Sequence, residues 1–289
     1  MNPANSIRKT PPNDLGALLR HWRDTRGVSQ LDLSFNAGVS QRHISFIESG
    51  RSVPSRQMLM DIAQTLDIPL RERNTLLLAA GYAPMYADAA WNAQEMQSVT
   101  KALARMLRQH EPFPALVMDR YWNVLMTNEA APRFFNCFID MAAREGPRNM
   151  LHLMFDPDGM RPFVDDWHRV ADSLIQRVYR EAVGRVVDER TRELVAALRA
   201  YSEVEAGDAA GRLIGGESAA GDAASAAMPV IPIGFVKDGH VLRYFSMITS
   251  VGTPQSVAAQ ELRIECMFPA DDETEARHLE MLDALPLRD

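Results

Sequence analysis

At 289 residues the chain is long enough for two domains of ordinary size, each with its own core. Its 46% hydrophobic and 24% charged residues are ordinary for a soluble globular protein, and no apolar run approaches the roughly 20 residues that cross a bilayer, which excludes an α-helical membrane protein. The net charge of -7 is unevenly spread: residues 1–88 hold ten Lys/Arg against eight Asp/Glu, so a head of +2 precedes a body of -9, and phosphate neutralisation depends on the local charge.

Residues 14–81 read as five short helices. Leu15, Leu18, Leu19 and Trp22 fall at i, i+3, i+4, i+7 behind an N-cap at Asp14, and Gly27 ends this first helix. Ser29 caps a second, with Asp32 three residues on in a capping-box spacing. Gly38 suits the tight turn that follows, where a positive φ is needed. Ser40 caps a third helix, Gln41 to Ser49, which buries Ile44 and Ile47. Pro54-Ser55 opens a fourth helix carrying Met58, Leu59 and Ile62. Pro69 opens a fifth, carrying Leu70, Leu76 and Leu77.

One amphipathic helix, Gln94 to His110, is expected in a connector over residues 89–112. Short β-type runs at 114–118 and 122–126 around Asp119-Arg120 then read as a hairpin. Asn128 caps a helix through Phe135. Further helices are expected at 149–155, at 161–183 and at 188–204. The Ala/Gly/Ser-rich stretch 205–227 reads as a flexible loop. Three strand-like runs follow, at 230–237, 240–251 and 261–268, with Asp238-Gly239 as the turn between the first two. A last helix begins near Asp272. Two strands, several helices and three more strands point to an antiparallel sheet with helices on one face. The fold class is therefore α+β, with domains at 1–88 and 113–289.

The chemistry points away from catalysis. No GxSxG, HExxH, P-loop or dinucleotide fingerprint occurs, and the seven histidines show no ligand spacing. Asp156, Asp158, Asp165 and Asp166 lack the register of a calcium loop. Cys137 and Cys266 share no metal or disulfide spacing and are expected as buried free thiols. No metal and no resident cofactor are expected. The opening residues hold no apolar signal segment, so the expected location is the cytoplasm.

The stretch from Ser29 to Glu48 carries the function. A helix that enters the major groove needs polar, base-reading side chains on one face and apolar anchors on the other. The third helix has both: Gln41, Arg42, His43 and Ser45 against Ile44 and Ile47. Gln can bond adenine at N6/N7, and Arg can fork onto guanine at O6/N7. Ser40 stands at the helix start. Gln30 can direct its amide to a phosphate or to Gln41, and Arg51 and Arg56 suit phosphate contacts. The alternative is a protein-binding adaptor using this helical head as its interaction surface.

The run from Gly27 to Pro69, with Gln30, Gln41, Gly38-Val39-Ser40, Ile47-Glu48, Gly50-Arg51 and Pro54-Ser55, resembles the lambda-repressor-like (XRE family) helix-turn-helix. Phe35 departs from that pattern, being bulky where the family usually has a polar residue. RERNTLLLAAGYAP at 71–84, HEPFPALVMDRYWNVLMTNEAA at 110–131, FDPDGMRPFVDDWHRVADSLIQRVYREA at 155–182 and RYFSMITSVGTPQSVAAQELRIECMFPADDETE at 243–275 resemble the MmyB-like regulators. That resemblance implies a PAS-like second domain with a five-stranded antiparallel sheet, binding a small apolar molecule, a fatty acid among the implied ligands. Candidate lining residues are Val117, Trp122, Leu125, Phe155, Trp167, Val170, Leu174, Met247 and Met267. A carboxylate ligand would also want a cation, for which Arg161, Arg169, Arg177 and Arg243 are candidates. The expected partners are an operator duplex, the ligand and a second copy of the chain, because one helix-turn-helix reads one half-site; no membrane partner is expected.

Overall fold

The computed structural model describes residues 15–182, 187–209 and 232–284, the side chains of 202–209 excepted. The chain divides into two compact units. The first runs to Ala89 and also takes in Pro254–Gln260; the second comprises Ala90–Thr253 and the residues from Glu261 onward.

The first unit is all-helical: α1 (Leu15–Thr25), α2 (Gln30–Ala37), α3 (Gln41–Glu48), α4 (Arg56–Thr65) and α5 (Leu70–Ala79). Local chemistry sets these boundaries. Ser29 and Asp32 form a reciprocal capping box at the start of α2, and Gly38 ends it at φ 66°, its N–H returned to Phe35 and Ser34 carbonyls. Ser40 and Ser55 cap α3 and α4 through their hydroxyl oxygens. The core is the sum of the inward faces: Leu19, Trp22, Leu33, Ile44, Ile47, Leu59, Ile62 and Leu77 are all buried.

Residues 254–260 contribute to this unit from a distant part of the chain. The short helix α11 (Val257–Glu261) starts with Val257, which is fully buried and donates its N–H to Ala87 O at 2.9 Å. Gln260 Oε1 accepts from Leu70 N at 2.7 Å, supplying α5 with the cap that Pro69 lacks. Five residues are too few to show a helical period, so the sequence reading passes over this element.

In the second unit a five-stranded antiparallel sheet has the order β2-β1-β5-β4-β3. The strands are β1 (Ala115–Met118), β2 (Val124–Thr127), β3 (Ile233–Lys237), β4 (His240–Ser250) and β5 (Arg263–Pro269). Asp238 (φ 51°) and Gly239 (φ 79°) make the tight turn between β3 and β4. The helices are α6 (Gln97–Gln109), α7 (Ala130–Asn136), α8 (Met150–Phe155), α9 (Trp167–Glu181), α10 (Glu189–Ala209) and α12 (Asp272–Asp283). Asn128 Oδ1 accepts from Ala131 N and from Ala115 N, so one amide both caps α7 and ties it to the sheet.

Several expectations are corrected here. The helix expected from 161 to 183 is broken: Arg161–Phe163 is a 3-10 turn containing Pro162, and Asp166 at φ 49° precedes α9. Of the loop expected at 205–227, residues 205–209 continue α10 instead, and the stretch from 210 to 227 lies outside the described residues. The helices do not keep to one face of the sheet. Leu116 and Met118 join the large core with α7 to α10, whereas β1 also packs with α6, which buries Leu103 and Leu107. The connector helix α6 thus belongs to the second unit. The two thiols are half-buried rather than buried, and desolvation pushes both up.

Candidate nucleic-acid interface

The face of α3 is sorted by its register. Ile44 and Ile47 are 2% and 1% exposed and anchor the helix, while Gln41 and Arg42 stand in solvent and His43 and Ser45 are half-exposed. Ser40 Oγ accepts from His43 N at 3.2 Å, which leaves its O–H free to donate outward. His43 Nε2 lies 3.4 Å from Ser52 Oγ. Arg42 is set over the ring of Phe46, its guanidinium carbon 5.2 Å from the centroid, and Arg51 approaches the same ring at 5.8 Å. Arg56 stacks on Tyr82 at 5.4 Å, and the Tyr82 hydroxyl donates to Pro54 O at 2.9 Å. Arg42, Arg51 and Arg56 are all solvent-exposed cations, presented by α3, the segment after it and the start of α4.

Beneath this face lies a buried carboxylate. Glu48, at the last turn of α3, accepts from Arg23 Nε at 2.7 Å and Arg23 Nη2 at 3.2 Å. It also accepts from Gln30 Nε2 at 2.9 Å, and Arg20 lies 3.5 Å away. Burial works against the charge on Glu48, but the hydrogen bonds from Arg23 and Gln30, with the Arg23 and Arg20 charges, outweigh it and hold the carboxyl below its ordinary range. One side chain therefore binds α1 and α2 to the recognition helix. Gln30 bonds to this hub in the structure, not to Gln41. Gly16 permits the close approach of α1: a Cβ there would lie 2.5 Å from Glu48 O and 2.8 Å from Ile47 O. Sequence reading missed Arg23, Gly16 and Phe46; only Glu48 stood out, as part of the Ile47-Glu48 match.

Phe35, the departure from the helix-turn-helix pattern, is 76% exposed on α2, and Leu31 one turn before it is exposed as well.

In the second unit Trp122, Phe155, Val170, Leu174 and Met267 come together in one core cluster, with Trp167 packed against it. Three other expected lining residues do not join them. Val117 alternates with Leu116 and Met118 and so points to the opposite sheet face. Met247 pairs with Cys266 and Ala115 on that opposite face and is 55% exposed. Leu125 occupies the bulge in the β1–β2 register and is half-buried.

Charge lies beside this cluster. Arg177 sits over the Trp122 ring at 4.6 Å and bonds Glu265 (2.8 Å) and Glu181 (2.6 Å). Arg120 bonds Glu261 at 2.9 Å and approaches Asp188 at 3.3 Å. Trp122 itself is held at φ 67°, and its buried Nε1 has no hydrogen-bond partner among the described residues. A half-open cleft of about 450 Å³ borders the same cluster at Leu242 and Met281 and has a mixed-charge rim of Lys237, Asp238, His240, Arg277 and Glu280. Among the described residues no cluster of His, Cys, Asp and Glu is arranged to hold a metal, and no helix is long and apolar enough to cross a membrane.

Comparison with known protein families matches residues 19–73 to a helix-turn-helix and residues 99–281 to the MmyB-like transcription regulator ligand binding domain. No curated protein matches the chain. The second match spans well over half of the sequence, and the first covers the helices that carry the exposed polar face. The chain belongs to the MmyB-like transcription regulators, with a DNA-binding helix-turn-helix unit followed by a ligand-binding domain.

Proposed function

We propose that this regulator reads operator DNA through α3 as a homodimer and adjusts that binding to a small apolar molecule held in its second unit. The observation that carries the reading is the exposed pair Gln41 and Arg42 at the N-terminus of a helix anchored by Ile44 and Ile47. In the major groove Gln41 pairs with adenine and Arg42 with guanine, with His43 and Ser45 beside them. Arg51, Arg56, Ser40 and the start of α2 at Gln30 face the phosphates and fix register. A second copy supplies the other half-site, one helical turn away.

The ligand reading rests on the cluster around Trp122, Phe155, Trp167 and Leu174. It is apolar on one side, and it carries a buried indole N–H from which a ligand oxygen can accept. A fatty acid suits that combination, on a sheet we read as a PAS-type scaffold that works without enzymatic turnover in a cytoplasmic protein. Ligand and DNA sites would be coupled by about 1–3 kcal/mol, a shift of roughly 5- to 150-fold in operator affinity.

A mobility-shift assay on the region upstream of the gene tests the DNA reading. Arg42→Ala should change preference at one base position by about 1–3 kcal/mol. Binding should also weaken steeply with salt as counterions are released. If Gln41→Ala and Arg42→Ala both leave binding to every sequence unaltered, α3 is not the reading element. Native mass spectrometry of protein purified without detergent tests the ligand reading through a defined mass increment.

A further inference from the structure

Phe46 has no part in the hydrophobic anchor formed by Ile44 and Ile47. It is half-exposed, one turn after Arg42 on α3, and so shares the side of the helix that carries the reading residues. Two cations converge on its ring, Arg42 at 5.2 Å and Arg51 at 5.8 Å from the centroid. Its backbone takes part too, since Phe46 O accepts from Arg51 N at 2.8 Å and from Ser52 N at 3.2 Å. A half-exposed aromatic between two arginines on a polar face is out of place as core. It is well placed as a platform. A guanidinium free in solvent samples many rotamers and gives up that freedom on binding. Held over a ring face, it gives up less, and the attraction to the ring quadrupole sets its direction.

We propose that Phe46 is a positioning residue that preorganises Arg42 and Arg51 as one unit, so that base reading and an adjacent phosphate contact are set together. The proposal rests on the DNA-reading role assigned above to Arg42. It makes Phe46 a determinant of sequence specificity without requiring Phe46 itself to touch a base. The exposed face of the ring, and not its bulk, is what matters.

The test uses the full-length chain and a duplex selected by the wild type from a random pool. Affinities of wild type, Phe46→Leu, Phe46→Tyr, Arg42→Ala and Arg42→Ala/Phe46→Leu are measured against that duplex and its single-base variants. Melting curves confirm that each variant is folded. Phe46→Leu keeps apolar volume but removes the π face. It should lose about threefold to tenfold of discrimination, concentrated at the base position that Arg42→Ala relaxes. Phe46→Tyr should restore it, and in the Arg42→Ala background Phe46→Leu should have no further effect at that base. A uniform loss across all sequences, equal in both backgrounds, would mean that Phe46 merely supports the fold, and the proposal fails. Unchanged discrimination in Phe46→Leu also overturns it while leaving the DNA reading intact. Failure of the wild type to select any sequence, or of Arg42→Ala to relax one, overturns the DNA reading and the platform with it.

Discussion

Replacing Glu48 by alanine should loosen the recognition helix more than any surface substitution on the same unit. The carboxylate is 2% exposed and Arg23 only 14%, so their bidentate pairing is shielded from solvent, whereas Arg20 is 53% exposed. Removing the acid strands the Arg23 guanidinium and the Gln30 amide together. Breaking a buried pair from one side costs about 3–5 kcal/mol, and hydrogen bonds to a charged group are worth about 1.5–3 kcal/mol each. Because Arg23 keeps its contacts to Val28 O and Asp24, the lower end applies, and we expect about 3 kcal/mol. Arg20→Ala, which removes a half-exposed charge and its hydrogen bond to Glu48 O at 2.9 Å, should still cost no more than about 1 kcal/mol. Native-state hydrogen exchange on the full chain, read on peptides from α1 to α3, separates this unit from the other. Protection of α3 should fall by roughly 100-fold in Glu48→Ala and by less than about fivefold in Arg20→Ala. Equal losses in the two variants would refute the argument that burial makes this pair the brace of the recognition helix.

Gly16→Ala should destabilise the same unit, although alanine is the better helix former, because its Cβ meets backbone atoms of Glu48 and Ile47 that cannot rotate away. A loss of about 1–3 kcal/mol is expected, seen as faster exchange in both α1 and α3; a gain in stability would show that the two helices are not in such close contact. In the second unit His278 is fully buried, with Nε2 3.1 Å from Pro112 O and Nδ1 2.8 Å from the Tyr244 hydroxyl. The carbonyl can only accept, so the proton resides on Nε2 and the bare Nδ1 accepts from Tyr244. Burial lowers the His278 pKa, so the unfolded chain takes up the proton first as pH falls below the ordinary histidine value of 6.5. Stability from neutral His278 is therefore full above that value and lost on acidification. Urea unfolding from about pH 7 to about pH 5 should show a stability loss that shrinks in His278→Gln; a share will persist, since burial lowers His152 as well. An undiminished loss in His278→Gln would acquit this residue.

Much of the first unit was legible because its signals are local. Ser29 with Asp32, Gly38, Ser40 and the Ile44/Ile47 spacing act within a few residues, and each sits where the spacing predicts. The second unit was legible in its elements but less so in its facing. A β-strand shows its alternation but not which side of the sheet is covered, so spacing could not tell that Val117 and Met247 lie on the face away from the Trp122 cluster. Leu125 falls in a bulge that shifts the register by one residue, and no residue type in the sequence announces it.

Sequence alone determined the helix-turn-helix, its caps and the polar face of α3, since those depend on side chains meeting their own neighbouring backbone. Only the tertiary structure decided that Glu48 holds α1, α2 and α3 together, that Phe46 gathers two arginines, and that residues 254–260 complete a unit whose other residues end at Ala89. Such contacts join residues far apart in the chain or on different helices. They form because burial makes each donor and acceptor find a partner, and which partner lies within reach is settled by packing rather than by spacing.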